Sequence, residues 1–251
     1  MRIALLSDIH ANRHAFDACL AHAEGQAVER FALLGDLVGY GGDPALVVER
    51  AMALAERGAV LVRGNHDDMA VRPPADPATL GQMSAPWTHA RLSPAQRDFL
   101  ANLPLTLRLD QALLVHASAD EPAHWHYVLD PVAAVRSMVA ASELAPGVRY
   151  VFSGHVHEQA LYFVTQTAKF MRFNPQPGIP VPVPAHRQWL ALVGAVGQPR
   201  DGDPRAGYAV FDTDAGRLTF HRVAYDIAGA AAAIRAAGLP EFYAERLEIG
   251  Q

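Results

Sequence analysis

Five short polar clusters lie along this chain, and each follows an apolar run with at most one residue between them. Their members are residue types that ligate metals, and the clusters are Asp8-Ile9-His10, Gly35-Asp36, Gly64-Asn65-His66-Asp67, His116 and Gly154-His155-Val156-His157. A short apolar run that is closed by glycine or aspartate is typical of a buried strand. We therefore expect every cluster to lie at the end of a strand, an arrangement that packing alone does not explain.

The first third of the chain alternates strands with helices. Residues 2–7, 31–34 and 59–63 have the pattern of buried strands, and helices are predicted over 12–24 and 44–57. This alternation implies a parallel sheet with right-handed crossovers. Open sheets of this kind bind ligands beyond the carboxyl ends of their strands, so the first three clusters should meet at one sheet edge.

The remaining two-thirds is less regular. Residues 68–104 are rich in proline and form a helical excursion that could cover the site, with helices at 80–92 and 94–103. Five prolines predict that Asn174–Pro184 is a loop. Within the first third of the chain, Gly39-Tyr40-Gly41-Gly42 is predicted to be a flexible loop. The later elements are predicted as strands at 105–109, 112–116, 148–152 and 160–164, a helix at 131–142, strands of a second, more antiparallel sheet at 189–193, 207–211 and 217–223, and a closing helix at 226–237.

Composition limits the possible classes of protein. The chain has 251 residues, of which 51% are hydrophobic, and its net charge is −5. It can bury one large core, so we expect a single domain over residues 1–251. The negative net charge does not indicate a basic surface that would bind a nucleic-acid duplex or an anionic membrane. No apolar run reaches the length of a membrane span. A strand-like start without a secretory signal and one cysteine, Cys19, predict a cytoplasmic protein.

The clusters combine carboxylate, imidazole and amide side chains. Together these groups suit a borderline divalent metal such as Mn, Fe, Zn or Ni. In an extended segment, residues two apart point the same way, so Asp8 and His10 could bind one ion, as could His155 with His157. Each cluster alone also has an ordinary explanation, because Asp36 could cap a helix and a lone histidine after a strand is more often a core residue. The ordered series favours a metal centre.

In order and residue type, the series resembles the calcineurin-like metallophosphoesterase superfamily. The resemblance implies an α/β fold, a four-layer αββα sandwich of two mixed sheets flanked by helices, with two divalent metal ions at the strand ends. It implies these ligand sets: Asp8, His10 and His157 for one ion, Asn65, His116 and His155 for the other, and Asp36 as a bridge. His66 would face the scissile phosphate without ligating.

The resemblance also implies a mechanism. The two ions would activate a bridging hydroxide for in-line attack on phosphorus and neutralise charge on the phosphoryl oxygens. His66 would protonate the leaving oxygen or stabilise its charge. Asp67 could orient His66, or could be an exposed loop carboxylate. Asn12 could donate to a phosphate oxygen, or could be a helix N-cap.

The residues that follow the second cluster, Gly35-Asp36, differ between branches of the superfamily. Protein phosphatases usually continue Gly-Asp with a further aspartate and an arginine, whereas this chain continues as Gly35-Asp36-Leu37-Val38-Gly39. It looks more like the small bacterial and archaeal branch of predicted phosphodiesterases. We expect hydrolysis of a phosphodiester or phosphoanhydride in a small, nucleotide-like substrate. A phosphomonoesterase and a non-catalytic scaffold on the same fold are the alternatives.

Two further groups of residues are candidates for substrate contacts. Arg200 and Arg205 lie in a stretch that resembles a loop of that branch, although its usual polar anchors are replaced by residues 192–196. They could bind a distal phosphate, or could form a salt-bridged turn with Asp201 and Asp203. Four aromatic residues could stack on a nucleobase or fill small gaps in the core: Tyr40, Trp87, Trp125 and Tyr127.

Overall fold

Two mixed β-sheets pack face to face, and helices cover their outer faces. The computed structural model describes residues 1–165, 167 and 169–251. The described strands are β1 (Arg2–Leu6), β2 (Arg30–Leu33), β3 (Val60–Leu61), β4 (Thr106–Leu109), β5 (Ala112–Val115), β6 (Tyr150–Ser153), β7 (Gln159–Val164), β8 (Phe170–Phe173), β9 (Pro180–Pro182), β10 (Trp189–Val193), β11 (Ala206–Asp212) and β12 (Arg217–Val223). The predicted four-layer sandwich is confirmed.

The helices are short, and several lie in the excursion after β3. The described helices are α1 (Arg13–Gly25), α2 (Pro44–Glu56), α3 (Asn65–Val71), α4 (Leu80–Met83), α5 (Ala85–Arg91), α6 (Pro94–Asn102), α7 (Pro131–Leu144), α8 (Ile227–Ala236) and α9 (Glu241–Ile249). A 3₁₀ turn, Pro122–His124, follows β5. No helix in the described part of the chain is long and apolar enough to cross a membrane.

The first sheet has the order β3-β2-β1-β11-β12-β9, and the second has the order β4-β5-β6-β10-β7-β8. Strands β1, β2 and β3 are parallel, as predicted. The prediction that the three late strands share a second sheet is wrong, because β11 and β12 complete the first sheet and only β10 lies in the second. The crossovers place β2 on one side of β1, and β11 fills the open side with Leu5 opposite Ala209.

The core lies in three layers that follow from this arrangement. Between the sheets, Leu5 of β1 belongs to the same buried cluster as Phe152 of β6 and Phe211 of β11. Phe16 of α1 is buried in the cluster outside the first sheet. Met138 of α7 is buried in the cluster outside the second. Both sheets are therefore fixed by apolar burial, which leaves their strand ends free to carry polar groups.

Proline placement corrects two of the predictions. Pro180 and Pro182 lie in the short strand β9, so residues 174–184 are not entirely loop. Proline is tolerated there because β9 is an edge strand and needs no donors on its outer side. The helix predicted over 80–92 is divided at Ser84, because Pro86 has no amide hydrogen to continue α4 and instead lies in the first turn of α5.

The excursion is partly core and partly a cover for the strand ends. Leu92 and Leu100 are buried in the cluster with Phe16, so this region contributes to the main core. The segment around α4 lies over the strand ends, since a Cβ at Gly81 would come within 3.5 Å of the His66 ring. Gly39-Tyr40-Gly41-Gly42 is a loop, as predicted, and its first three residues are buried.

Candidate metal centre

All five polar clusters meet at one end of the sandwich. Asp8 lies just after β1, Asp36 after β2, and Asn65 begins α3 after β3. From the second sheet, His116 follows β5 and His155 follows β6. These strands are parallel within each sheet, so their carboxyl ends lie at the same edge. The polar side chains converge because the fold brings these strand ends together.

The first predicted ligand set forms a compact group. Nε2 of His157 lies 3.1 Å from Oδ1 of Asp8. Nε2 of His10 lies 3.1 Å from Nε2 of His157 and 3.8 Å from Oδ1 of Asp8. All three residues are buried. One ion could therefore contact all three atoms.

The second predicted set forms a similar group beside it. Nε2 of His116 lies 3.1 Å from Oδ1 of Asn65 and 3.1 Å from Nδ1 of His155. His116 and His155 are buried. This group offers two imidazole nitrogens and an amide oxygen to a second ion.

Asp36 lies between the two groups. Its Oδ2 is 3.2 Å from Nε2 of His116 in the second group and 3.7 Å from Nε2 of His10 in the first. Its Oδ1 accepts a hydrogen bond of 2.8 Å from the backbone N–H of His66, which fixes the carboxylate plane. One oxygen atom thus faces both groups, as a bridging ligand requires.

Backbone carbonyls fix the tautomers of three histidines. Nδ1 of His10 donates to Val38 O at 3.1 Å, Nδ1 of His116 donates to Leu34 O at 2.8 Å, and Nδ1 of His157 donates to Gln198 O at 2.5 Å. A carbonyl oxygen can only accept, so each neutral ring carries its hydrogen on Nδ1 and directs the Nε2 lone pair into the site.

The hydrogen-bond partners of these buried acceptor atoms show whether the site suits cations. Oδ1 of Asp8 is buried without a hydrogen-bond partner among the described residues. The Nε2 lone pairs of His10 and His157 face each other at 3.1 Å, which is unfavourable unless a positive charge lies between them. Residue types and geometry therefore fit divalent metal ions.

The turns that carry the candidate ligands have an unusual backbone. Asp8, His10, Asp36, His155 and His157 all have positive φ, between 49° and 66°. The prediction that Asp8 and His10, or His155 and His157, converge as alternating residues of an extended segment is therefore wrong. Left-handed residues turn the chain at the strand ends and bring Asp8 and His10 to one donor group, whereas His155 and His157 face different groups. This conformation costs about 1–3 kcal/mol per residue and is concentrated at functional sites.

The charges in the centre are strongly coupled. Burial opposes ionisation of Asp36, but His116 and His66 outweigh it and hold the pKa of this carboxyl well below its usual range. Burial likewise opposes protonation of His116, but Asp36 raises the pKa of this imidazole to about 9. Positive charge is therefore favoured where these two side chains meet, and a divalent ion that binds there would displace the proton.

His66 is buried beside the candidate ligands. Its ring lies edge-on to His10, with the centroids 5.0 Å apart, and tilted against Tyr40 at 4.4 Å. A Cβ at Gly39, whose φ is +92°, would overlap the His66 imidazole, so glycine is needed there. Burial lowers the pKa of His66 to about 4. One ring nitrogen of His66 is also close enough to donor atoms of His10 and Asp36 for all three to bind one ion. The number of ions bound by a His66 variant therefore distinguishes a ligand from a residue that does not ligate.

Asp67 has a different environment from the one predicted. Its carboxylate is fully buried and accepts hydrogen bonds from the backbone N–H groups of Leu37 at 2.8 Å, Val38 at 3.3 Å and Gly64 at 2.9 Å. It therefore joins the turn after β2 to the start of α3. Neither an exposed loop carboxylate nor a partner that orients the ring of His66 describes these contacts.

We expect Asp67→Ala to lower the free energy of unfolding by about 3 kcal/mol or more, because three buried N–H groups lose their acceptor. Urea unfolding at a fixed metal concentration measures the loss. The neighbouring Asp68→Ala is the matched control, since Asp68 pairs with Arg72 at a partly exposed position and should cost less than about 1 kcal/mol. Equal losses in the two variants would contradict the structural role of Asp67.

Two of the three predicted substrate contacts are engaged elsewhere. Oδ1 of Asn12 accepts from the N–H of Ala15, and its Nδ2 donates to Gly197 O, so Asn12 is the N-cap of α1. Arg205 forms an ion pair with Asp203 at 2.6 Å and is half-exposed, as in the alternative of a salt-bridged turn. The helix N-cap and the salt-bridged turn given as alternatives describe these contacts, and a phosphate contact by either residue stays a prediction.

Arg200 is the one of the three that faces the centre. Its guanidinium carbon lies 5.6 Å from the centroid of Tyr40, and its Nη2 donates to Oε1 of Gln198 at 2.8 Å. Its Nε is buried without a hydrogen-bond partner in the described part of the chain. Burial raises the pKa of Tyr127, and the charge of Arg200 opposes this rise, so both lie over the same region. A phosphate contact by Arg200 stays a prediction.

Three of the four aromatic candidates contact site histidines. Tyr127 stacks on His155 with 4.0 Å between the centroids, and Trp125 lies edge-on to His116 at 5.9 Å. Tyr40 packs on His10 and His66 and is buried. Trp87 packs with the core cluster of α8 and α9 instead. The packing of Tyr40 against these histidines was not predicted, although an aromatic residue among three glycines was a signal.

The family is shown by a comparison with known sequences. The model of the calcineurin-like phosphoesterase superfamily domain matches residues 1–216, which is most of the chain. The chain belongs to this superfamily. The family assignment made from the order of the ligand clusters is thereby confirmed.

Relatives of this phosphoesterase-family chain occur in bacteria and archaea. The metallophosphoesterase of Sphaerobacter thermophilus is 35% identical, and its crystal structure superposes with a TM-score of 0.86 over 100% of both chains. A hypothetical protein of Pyrococcus horikoshii has the same fold, with a TM-score of 0.80, 20% identity and coverage of 100% of this chain and 98% of its own. An uncharacterized protein of Methanocaldococcus jannaschii is 29% identical over 255 residues, 99% of this chain and 98% of that protein.

Proposed function

We propose that this protein is a dinuclear metal-dependent phosphoesterase that hydrolyses a phosphodiester or phosphoanhydride in a small, nucleotide-like molecule. The observation that carries the proposal is the placement of Asp36, whose Oδ2 faces His116 of one donor group and His10 of the other. Two sets of buried donors joined by one carboxylate oxygen favour a pair of ions over a single ion. When bound, such a pair supplies Lewis acidity toward phosphoryl oxygens and activates water as the nucleophile.

The chain's own residues supply orientation and electrostatic support. Asp8 accepts from the backbone N–H of His155 at 2.9 Å, and Asp36 accepts from the backbone N–H of His66 at 2.8 Å. Each carboxylate therefore joins two of the strand-end turns, so the donor atoms are positioned before a substrate arrives. Such preorganisation lowers the cost of binding the charge that develops in the transition state.

The surroundings of the centre support an anionic substrate with an aromatic group. The buried, unpartnered Nε of Arg200 is a donor for a phosphoryl oxygen. Tyr127, which is 49% exposed, and the partly exposed Trp125 form an aromatic rim beside His155 and His116. A nucleobase or a similar ring attached to the phosphate could pack against this rim.

A metal and substrate screen tests the proposal. Protein stripped with a chelator and reloaded separately with Mn²⁺, Fe²⁺, Zn²⁺ or Ni²⁺ is assayed with bis-p-nitrophenyl phosphate, p-nitrophenyl phosphate and a dinucleoside polyphosphate. We expect hydrolysis that requires metal, with the diester or the anhydride preferred to the monoester. A preference for the monoester would identify a phosphomonoesterase. Absence of turnover with two bound ions would favour a non-catalytic scaffold.

A further inference from the structure

A further group of metal-type donors lies outside the buried centre. In the loop after β5, Oε2 of Glu121 lies 3.3 Å from Nδ1 of His124 and 3.5 Å from Nε2 of His126. Among the described residues, this trio meets the same mutual spacing of donor atoms as the groups of the buried centre. All three side chains are half or more exposed, so they are accessible to ions from solution. The function proposed above uses none of them.

We propose that Glu121, His124 and His126 form a third, surface-exposed site for a divalent transition metal such as Zn²⁺. Two imidazole nitrogens and one carboxylate oxygen are a donor set that binds zinc, with water at the remaining positions. The two rings are inclined at 61° with their centroids 5.7 Å apart, so they do not stack on each other. Nδ1 of His124 and Nε2 of His126 both lie near Oε2 of Glu121, so one ion between these three donor atoms would contact all of them.

The backbone brings these donors to one side of the loop. Glu121 and Trp125 have φ values of 49° and 56°, and these left-handed residues flank the 3₁₀ turn Pro122–His124. The turn places His124 within reach of Glu121 although the two are three positions apart in a loop. His126 comes within reach after the second left-handed residue.

Successive side chains of this loop face the outer trio and the inner centre in turn. His124 and His126 face Glu121, whereas Trp125 packs edge-on against His116 and Tyr127 stacks on His155. An ion at the outer site would therefore hold in place the segment that lines the inner centre. Trp125 lies between the two outer histidines in sequence and also packs against His116 of the inner centre, so its fluorescence responds to an ion in either region.

Equilibrium dialysis of the full chain against buffered Zn²⁺ tests the outer site. We expect the His124→Ala/His126→Ala double variant to bind one equivalent fewer than wild type, and Glu121→Gln to bind the same ion more weakly. His186→Ala is the matched control, because it removes an exposed histidine outside the cluster and should leave the stoichiometry unchanged. Equal Zn²⁺ stoichiometry in wild type and the double variant would overturn the proposal.

Fluorescence gives a second readout that does not depend on catalysis. In protein whose buried centre is already filled with Zn²⁺, Cu²⁺ used as a quenching probe should reduce the emission of Trp125 in wild type and much less in the double variant, and Trp125→Phe should remove the quenched component. Quenching that is unchanged in the double variant would contradict an ion at Glu121, His124 and His126. Both readouts compare variants, so they remain decisive even if the buried centre proves inactive toward phosphate esters.

Discussion

The Asp36→Asn variant is expected to lose nearly all hydrolysis of bis-p-nitrophenyl phosphate, by at least about 10³-fold, and to bind one divalent ion instead of two. The reason is the position of Oδ2, which lies 3.2 Å from Nε2 of His116 and 3.7 Å from Nε2 of His10. Removing the charge of the bridge exposes the ions to mutual repulsion. Metal-ion stabilisation of transition-state charge contributes several kcal/mol, and about 4 kcal/mol corresponds to that loss.

Two variants at this position separate charge from hydrogen bonding. Asparagine keeps the size of Asp36 and an oxygen that can accept from the N–H of His66, whereas Asp36→Ala removes both. We expect the two variants to be almost equally inactive, with alanine also lowering the melting temperature. Asp68→Asn, which changes a carboxylate on α3 outside the ligand groups, is the activity control. If Asp36→Asn retains two ions and wild-type turnover, the dinuclear proposal is wrong.

The strand-end placement of the donors could be predicted because it depends on local patterns. Apolar runs followed by glycine or aspartate locate the ends of β1 and β2, and alternation with helices makes these strands parallel. Their carboxyl ends must then meet at one edge. The family resemblance added the assignment of each donor to an ion, and the observed distances agree with that grouping.

The errors in the sequence analysis arose where distant or backbone interactions decide the structure. Nothing local in β11 indicates that it pairs with β1, because the open edge of β1 is created by the position of β2. The positive φ of Asp8 and His155 could not be predicted, since the tertiary contacts that offset the strain are remote in sequence. One such contact is the hydrogen bond from the N–H of His155 to Oδ2 of Asp8.

Short polar side chains were ambiguous for a related reason. Asn12 and Asp67 belong to residue types that serve equally as catalytic groups and as hydrogen-bond acceptors for exposed backbone N–H groups. Sequence gives the residue type but not which partner is closer. The structure gives Asn12 the N–H of Ala15, and it gives Asp67 three backbone N–H groups around the site. Both residues thus support the centre indirectly.

His66→Gln is expected to retain both metal ions and to slow diester hydrolysis by about 10²–10⁴-fold, the usual range for a positioned acid or base. The ring of His66 lies beside His10 and Tyr40, and the backbone N–H of His66 donates a hydrogen bond to Oδ1 of Asp36. Glutamine preserves that backbone contact and a side-chain donor, but it cannot transfer a proton. Metal analysis together with steady-state kinetics checks both parts of the expectation. Loss of one ion would instead identify His66 as a ligand.

The leaving group distinguishes the two roles open to His66. If the imidazole transfers a proton, the deficit of His66→Gln must grow as the leaving oxygen becomes more basic, from a p-nitrophenyl diester to an alkyl diester. If it only donates a hydrogen bond to the developing charge, the deficit should change little between them. His89→Gln, at a histidine on α5 that bonds Ala70 O, is the matched control and should leave both rates near wild type. Wild-type rates for His66→Gln on both diesters would exclude either role and leave hydrolysis to the metal ligands alone.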